Sequence, residues 1–571
     1  MSKNFLFNPQ AYDGKDRDEK TRRIMENTIA FFEHKGLREM KIDDMLFRYS
    51  DDFVKCQRDN QAFATMLTPK GYGEDPEHAR YDLRRITEYN ELLSFYNLAT
   101  RYIFQVSLLG TSPIWMSDNP IVKERAAKLL AEGNVFGFGC SEKDHGADLY
   151  SNEMILTTLS DGEYRADGEK YYIGNSDRGY ISTFAKFAEN GDWAFFLADS
   201  SHICYNDKKN IRSSYLHTGY VGEYALVDYP VTCEDIISRG KKAWNDALST
   251  VNIGKFQVGV SPIGVATHAF YECLHHAYNR WLYGKRVTDM PHVREMFVQA
   301  YLRAVGMRLY AFRAIDYFKS SSETDRRYLL FNPVNKMKTA MEGVTAVTQL
   351  WDAVTARGFE CETYMEQATR DIQSSPRLEG TAHVNMNLIL KFMQNYLFNH
   401  TQFPELPIIG HTDDSCIFSQ SSGSLAEVTF SDYRPVLEGC KLENVKAFTR
   451  QASLLREYFE KWPSGKWEKG RIGDLISLGH MFTLIPYAQL ILESARLYDI
   501  DDIVINRLFC YYVKDMAHHA LEHMLAQPLS PEQEALFRGI ASIKPVMDRG
   551  EYDLLWCDII EPLSDVFVMK D

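Results

Sequence analysis

The sequence predicts a mainly α fold with a β insert, an α+β arrangement, on three observations. Apolar residues recur at three- and four-residue spacing from Arg17 to about Leu130, among them Ile24, Ile29 and Phe32, with charges on the other faces. Short β-favouring runs then fill Val135 to about Ile237. Helical periodicity returns near Gly240 and, after one turn-rich stretch, persists to Asp571. A β block between helical blocks is not the strand–helix alternation of a doubly wound sheet.

Each block has its own signals. The N-terminal helical domain is placed at 1–134. The middle domain, 135–239, holds Lys170-Tyr171-Tyr172-Ile173, Trp193-Ala194-Phe195-Phe196-Leu197 and Tyr224-Ala225-Leu226-Val227. Asp161-Gly162, Asp167-Gly168 and Asn190-Gly191 punctuate these runs, which predicts a mainly antiparallel sheet. A helical bundle follows at 240–403, with its strongest periodicity in 256–276 and 293–318. From Pro404 to Ser424 the chain is turn-rich and includes Ser419-Gln420-Ser421-Ser422-Gly423-Ser424, which reads as a linker or lid. It opens a C-terminal helical extension, 404–571.

The 571 residues, 45% of them hydrophobic, suffice for several packed domains. A net charge of −14 with no long basic run disfavours nucleic acid as a partner. Ten cysteines without a C-x-x-C pair argue against a zinc ribbon or disulfide framework and for a reducing compartment, the cytoplasm by expectation. The first residues, from Met1 to Phe5, show no signal-peptide pattern. No run approaches a membrane span; the nearest, 481–497, is broken by Pro486 and carries Gln489, Glu493 and Arg496. A packed helix is the expectation there, rather than a helix lying on a membrane. No G-x-G-x-x-G follows a strand and no G-x-x-x-x-G-K-[ST] occurs, so Rossmann and P-loop nucleotide binding are poor readings. His519 and His523 stand one helical turn apart, but without a clear third ligand they read as a polar helix face, as do His275 and His276. No metal is expected.

Three segments in order carry a resemblance. The first is the loop from Phe138 to Asp148 (Phe138-Gly139-Cys140-Ser141-Glu142, then His145-Gly146-Ala147-Asp148), followed by Asp167-Gly168-Glu169-Lys170-Tyr171-Tyr172-Ile173-Gly174-Asn175. The second is Arg280-Trp281-Leu282-Tyr283-Gly284-Lys285. The third runs from Arg357-Gly358-Phe359 through Arg370-Asp371 to Leu378-Glu379-Gly380-Thr381. Their order and spacing, over roughly 134–393, resemble the acyl-CoA dehydrogenase family. The extension looks like that of the family's larger members.

The resemblance implies FAD as cofactor and an acyl-CoA thioester as substrate, oxidised to a trans-2-enoyl-CoA. It implies a homodimer or homotetramer, because the family builds its FAD site across subunits, and electron-transfer flavoprotein as the acceptor. It makes Glu379 the catalytic base. It assigns Phe138, Cys140, Ser141, Tyr172, Ile173, Gly174, Arg280, Thr381 and His383 to the cofactor, and Ala147, Lys255 and Gly380 to the substrate. The family's other location for the base falls on Gly254, which cannot serve. Gly174 stands where the family usually has Thr or Ser against the flavin, which raises an alternative, an acyl-CoA oxidase using O2. A second alternative is a non-catalytic, flavin-binding relative that protects DNA.

Taken singly these residues say less. A lone Glu is usually solvated or a helix cap. Ser141 reads as a turn, Tyr172 as a cross-strand core aromatic, and Arg280 as a solvent-facing helical residue. The chemistry is what binds them together. An α-proton is weakly acidic, so its removal needs donors to a thioester oxygen and a carboxylate made more basic by burial.

Overall fold

A computed structural model of the protein describes residues 4–160, 162–420, 423–462, 472–526 and 528–571. Within the stretches read above, residues 1–3, Asp161, Ser421 and Ser422 lie outside the described residues. The expected order is observed: helices, a sheet, a helical bundle and a helical extension.

The N-terminal block runs from Glu19–Met45 to Pro120–Ala131. Its central pair, Leu83–Tyr96 and Leu98–Met116, is buried almost all round. Asn97 separates the two helices and caps the second, accepting from the amides of Ala99 and Thr100.

The β domain has eight strands: β1 (Phe136–Gly139), β2 (Ile155–Ser160), β3 (Glu163–Gly174), β4 (Tyr180–Phe187), β5 (Trp193–Asp199), β6 (Tyr205–Asn210), β7 (Val221–Thr232) and β8 (Ile236–Arg239). Their order is β6-β7-β3-β2-β4-β5-β8, with β1 beside β4. Pairing is antiparallel except that β1 and β2 each run parallel to β4. Met154, Leu156, Ile181, Phe196 and Tyr224 belong to a core of its own.

Helix Leu98–Met116 docks on this sheet through small groups. A side chain at Gly110 would lie 2.5 Å from Gly137 O. Ser182 Oγ donates to Gly110 O at 2.6 Å, and Ser107 Oγ accepts from Phe136 N at 3.1 Å.

The bundle is built on Gly240–Asn279, Pro291–Lys319, Ala340–Val354 and Ala382–Phe398. Its core is continuous with that of the N-terminal helices and of the extension. In the extension, helix Ile472–Leu497 packs against Pro291–Lys319 and Asp502–Ala526. Its segment Leu475–Leu497 is, by length and composition, long enough to cross a membrane, which corrects the sequence reading. Yet 83% of its most apolar window is buried inside the protein.

The stretch 404–420 is a fixed strap, not the expected linker or lid. Leu406 O accepts from Arg313 at 2.9 Å and Ile409 O from Arg84 at 2.7 Å. Asp414 accepts from Leu83 N at 2.8 Å and meets Lys319, whose ammonium also reaches Asp82 at 3.1 Å. Lys319 and Asp82 have fully buried side chains. An ion pair that far from water is costly to break, so the strap is held by charge as well as packing.

Candidate active site

Glu379 sits on a tight loop between the turn Ile372–Ser374 and helix Ala382–Phe398. The loop needs left-handed backbone at two successive residues, Glu379 with φ +51° and Gly380 with φ +86°. Glycine meets that at no cost, whereas a non-glycine residue held there is strained, as functional loops often are. Thr381 caps the following helix, its Oγ1 accepting from Val384 N, and Asn385 Nδ2 donates to Gly380 O and Thr381 O at 3.0 Å.

The carboxylate points at helix Leu98–Met116. Gln105 Nε2 donates to its two oxygens at 3.3 and 3.2 Å, and to Gly254 O at 3.2 Å. The amide is oriented from behind: Gln105 Oε1 accepts from Arg101 at 3.0 Å, and Arg101 Nε donates to Asn90 at 2.9 Å. Asn90 in turn donates to Gln257 at 2.6 Å. Burial pushes the Glu379 carboxyl above the usual carboxylate range. Arg101, Lys336, the Gln105 hydrogen bond and Lys255 oppose it. The cations respond in turn: burial brings Arg101 down to about 10 and Lys336 down to about 7, and lowers Lys255. Lys255 Cε lies 3.4 Å from where a side chain on Gly380 would begin. At Gly254 a side chain would run into the Glu379 carboxylate and lie 2.6 Å from Leu109 Cδ2. Glycine at 254 is the space that Glu379 fills.

On the β side, Tyr172 is 57% exposed, with φ +63° at a register shift between β3 and β7. The bulge turns the ring outward, so it is not the core aromatic that its strand alone suggested. Ile173 and Cys140 are buried, with burial pushing the Cys140 thiol up to about 12; what they offer the cleft is backbone. Ser141 is half-buried and its carbonyl accepts from Tyr171 N. Phe138 stacks on Phe195, and Ala147 lies on an exposed loop. Gly174 is explained by a neighbour. A side chain there would begin 2.8 Å from Tyr102 Oη and 2.6 Å from Val106 Cγ1. The Tyr102 phenol fills that space, and burial together with nearby Tyr215 and Glu379 raises its pKa.

Arg280, at the end of helix Gly240–Asn279, lines a cavity of about 650 Å³ with His276 and Arg357. His276 Nε2 is buried with no partner among the described residues, and burial with Arg357 and Arg280 depresses its pKa. It therefore faces a hollow of mixed charge, with Arg280 and Arg357 beside Glu272, Glu360, Glu362 and Asp571, rather than forming the expected polar helix face. Nearby, Thr355 takes φ +57°, and Trp281, Tyr283 and Phe359 are 62%, 94% and 68% exposed.

His383 is exposed, with His480 of the extension nearby. His480 stacks on His519, and His523 is buried against Phe537 with Ser477 at 2.9 Å, so these too depart from a plain polar face. His518, His519 and Glu522 bring ligand atoms within 4.8 Å of one another, as do Glu142, His145 and Glu153. In the second group Glu142 is already held by Lys170 and two backbone amides.

The arrangement therefore offers a desolvated carboxylate beside helix Leu98–Met116, an outward-turned aromatic ring on the β domain, and a hollow in which Arg280, Arg357 and an unpartnered His276 stand with Glu272, Glu360, Glu362 and Asp571. The exposed ring offers a flat surface to a planar group, and the two arginines offer donors to a diphosphate. Sequence reasoning missed Arg101, Tyr102, Gln105 and Lys336. Their one signal was polarity inside otherwise apolar helices.

A fold of this kind is shared with solved flavin-dependent oxidoreductases. The family of the acyl-CoA dehydrogenase C-terminal domain matches residues 242–394. The short-chain-specific acyl-CoA dehydrogenase of Megasphaera elsdenii is 23% identical over 287 residues, 49% of this chain and 73% of that protein. An acyl-CoA dehydrogenase from Bacillus anthracis, solved with FAD, superposes with a TM-score of 0.76 at 16% identity, covering 99% of this chain and 97% of that one. A nitroalkane oxidase superposes with a TM-score of 0.59 at 15% identity, covering 66% and 96%. The chain is therefore similar to the acyl-CoA dehydrogenase family in fold and, over residues 242–394, in sequence.

Proposed function

We propose that this protein dehydrogenates an acyl-CoA thioester between Cα and Cβ, giving the trans-2-enoyl-CoA, with Glu379 as the base. One observation carries the proposal: the Glu379 carboxylate is made more basic by burial and is held in one orientation by Gln105. A hydrogen bond to a charged group contributes about 1.5–3 kcal/mol, enough to fix one rotamer. Glu379 takes the Cα proton, and FAD when bound supplies the oxidant for the Cβ hydride. Ser141, the backbone of 138–141 and 173–174, Tyr172, Thr381 and His383 would hold the flavin, and Arg280 with Arg357 its diphosphate. Lys255, Gly380 and Ala147 are assigned to the substrate side.

A homodimer or homotetramer is part of the same reading, supported by the exposed aromatics beside the Arg280 cavity. So are electron-transfer flavoprotein as acceptor and a cytoplasmic, reducing setting, the latter supported by ten unpaired cysteines. The alternative, an acyl-CoA oxidase, rests on Gly174. The Tyr102 hydroxyl in the space beside it supports the dehydrogenase instead.

Reduction of the bound flavin by a panel of acyl-CoAs under anaerobic conditions tests the reaction. Glu379→Gln binds the thioester and leaves the flavin oxidised; bleaching at the wild-type rate removes Glu379 as base. Rapid reoxidation by air with peroxide formation would replace dehydrogenase by oxidase.

A further inference from the structure

Lys336 is 1% exposed and lies on a π-helical turn, Asn335–Thr339, between helices Tyr328–Val334 and Ala340–Val354. π-turns redirect side chains out of the α-helical register. This one is pinned in place. Asn335 Nδ2 donates to Phe256 O at 2.9 Å, and Thr339 Oγ1 donates to Gly259 O at 2.6 Å. A side chain at Gly259 would lie 2.6 Å from Asn335 Nδ2, so the turn is seated directly on helix Gly240–Asn279.

From this seat the Lys336 ammonium donates to Ser375 O, its one hydrogen bond among the described residues. Ser375 is the buried residue that opens the loop leading to Glu379. The charged groups around Lys336 are few: Glu379 on its loop, Arg101 on helix Leu98–Met116 and Lys255 on helix Gly240–Asn279. The lysine is thus a buried cation without a carboxylate of its own, placed behind the base and bonded to the backbone that carries it. Burying such a group is costly, and nothing else in its surroundings draws on it.

We propose that Lys336 is a positioning residue for Glu379: its bond to Ser375 O fixes the base loop and holds a buried ammonium near the carboxylate. The inference rests on Glu379 being the base.

The test compares Lys336→Met and Lys336→Gln in the FAD-loaded protein by anaerobic flavin reduction across pH. Removing the charge shifts the acid limb of the reduction rate to higher pH in both variants. Removing the donor as well lowers the plateau rate of Lys336→Met at least 10-fold, with FAD content unchanged. Lys336→Gln, which keeps a donor toward Ser375 O, stays within about 3-fold at the plateau. An unmoved acid limb in Lys336→Gln overturns the proposal, whether or not Lys336→Met folds. So does a plateau unchanged in Lys336→Met. Glu379→Gln run alongside separates the two readings. If it bleaches like wild type, the base assignment fails. If it is inert while the lysine variants behave as wild type, only the role of Lys336 fails.

Discussion

Gly254→Ala probes the site by one methyl group. That methyl would meet the Glu379 carboxylate and stand 2.6 Å from Leu109 Cδ2, where ordinary carbon contacts are about 3.5–4.0 Å. Roughly 1 Å must be found. Leu109 is buried, at 5% exposed. The carboxylate yields more readily, at the expense of its bonds to Gln105. Overpacking of this kind costs about 1–3 kcal/mol. If that cost falls on the placement of the base, flavin reduction slows by about 5-fold to about 150-fold, at one decade per 1.36 kcal/mol. Stopped-flow bleaching of the reconstituted variant by a reactive acyl-CoA measures it, with FAD content and melting temperature as controls. Wild-type bleaching with full FAD occupancy would show that residue 254 and the Glu379 carboxylate do not share space during catalysis.

Three further outcomes follow from the geometry. The pH dependence of flavin reduction should have an acid limb above the ordinary Glu value of 4.5, because burial raises the folded pKa and a base works only when deprotonated; the rate is present above that limb and falls as pH drops through it, and a rate flat down to pH 4.5 contradicts the burial. Gly174→Ser places an atom 2.6 Å from Val106 Cγ1 and 2.8 Å from Tyr102 Oη, so it should cost about 1–3 kcal/mol in chemical denaturation and lower FAD content; unchanged stability refutes the crowding. Lys319→Met leaves Asp414 buried without its ammonium, while Asp82 keeps Arg80 and His411, a loss of about 3–5 kcal/mol, read as a lower denaturation midpoint and faster proteolysis within 404–420; a wild-type cleavage pattern would return that stretch to a loose linker.

Local patterns made the β domain and the long helices readable, because turn residues and side-chain period are written within a few positions of each other. Glu379 became legible through its spacing to Arg370-Asp371 and Gly358-Phe359, not through its own neighbours. The strap at 404–420 did not, since its fixing partners Lys319, Arg84 and Arg313 are far along the chain and turn-rich composition alone says nothing of them. Gln105 and Arg101 were hidden for a related reason. They lie on a helix whose whole circumference is buried, so no polar face announced them. Lys336 was masked by the π-turn, which breaks the period on which its neighbours were read. His276 was set aside as surface because the hollow it faces is built by residues about eighty positions later.

The two halves of the chemistry ride on different bodies. Glu379 belongs to the helical core, while Tyr172 and Ser141 belong to a sheet with a separate core. Both are referenced to one rail, helix Leu98–Met116, which holds the carboxylate through Gln105 and meets the sheet at Gly174 through Tyr102 and at Gly137 through Gly110. In the proposed reaction, the gap across which proton and hydride would part company is therefore a mounting tolerance of that rail. Its adjustment lies in glycine contacts that touch neither reactant, and misplacement by an ångström there is worth decades of rate.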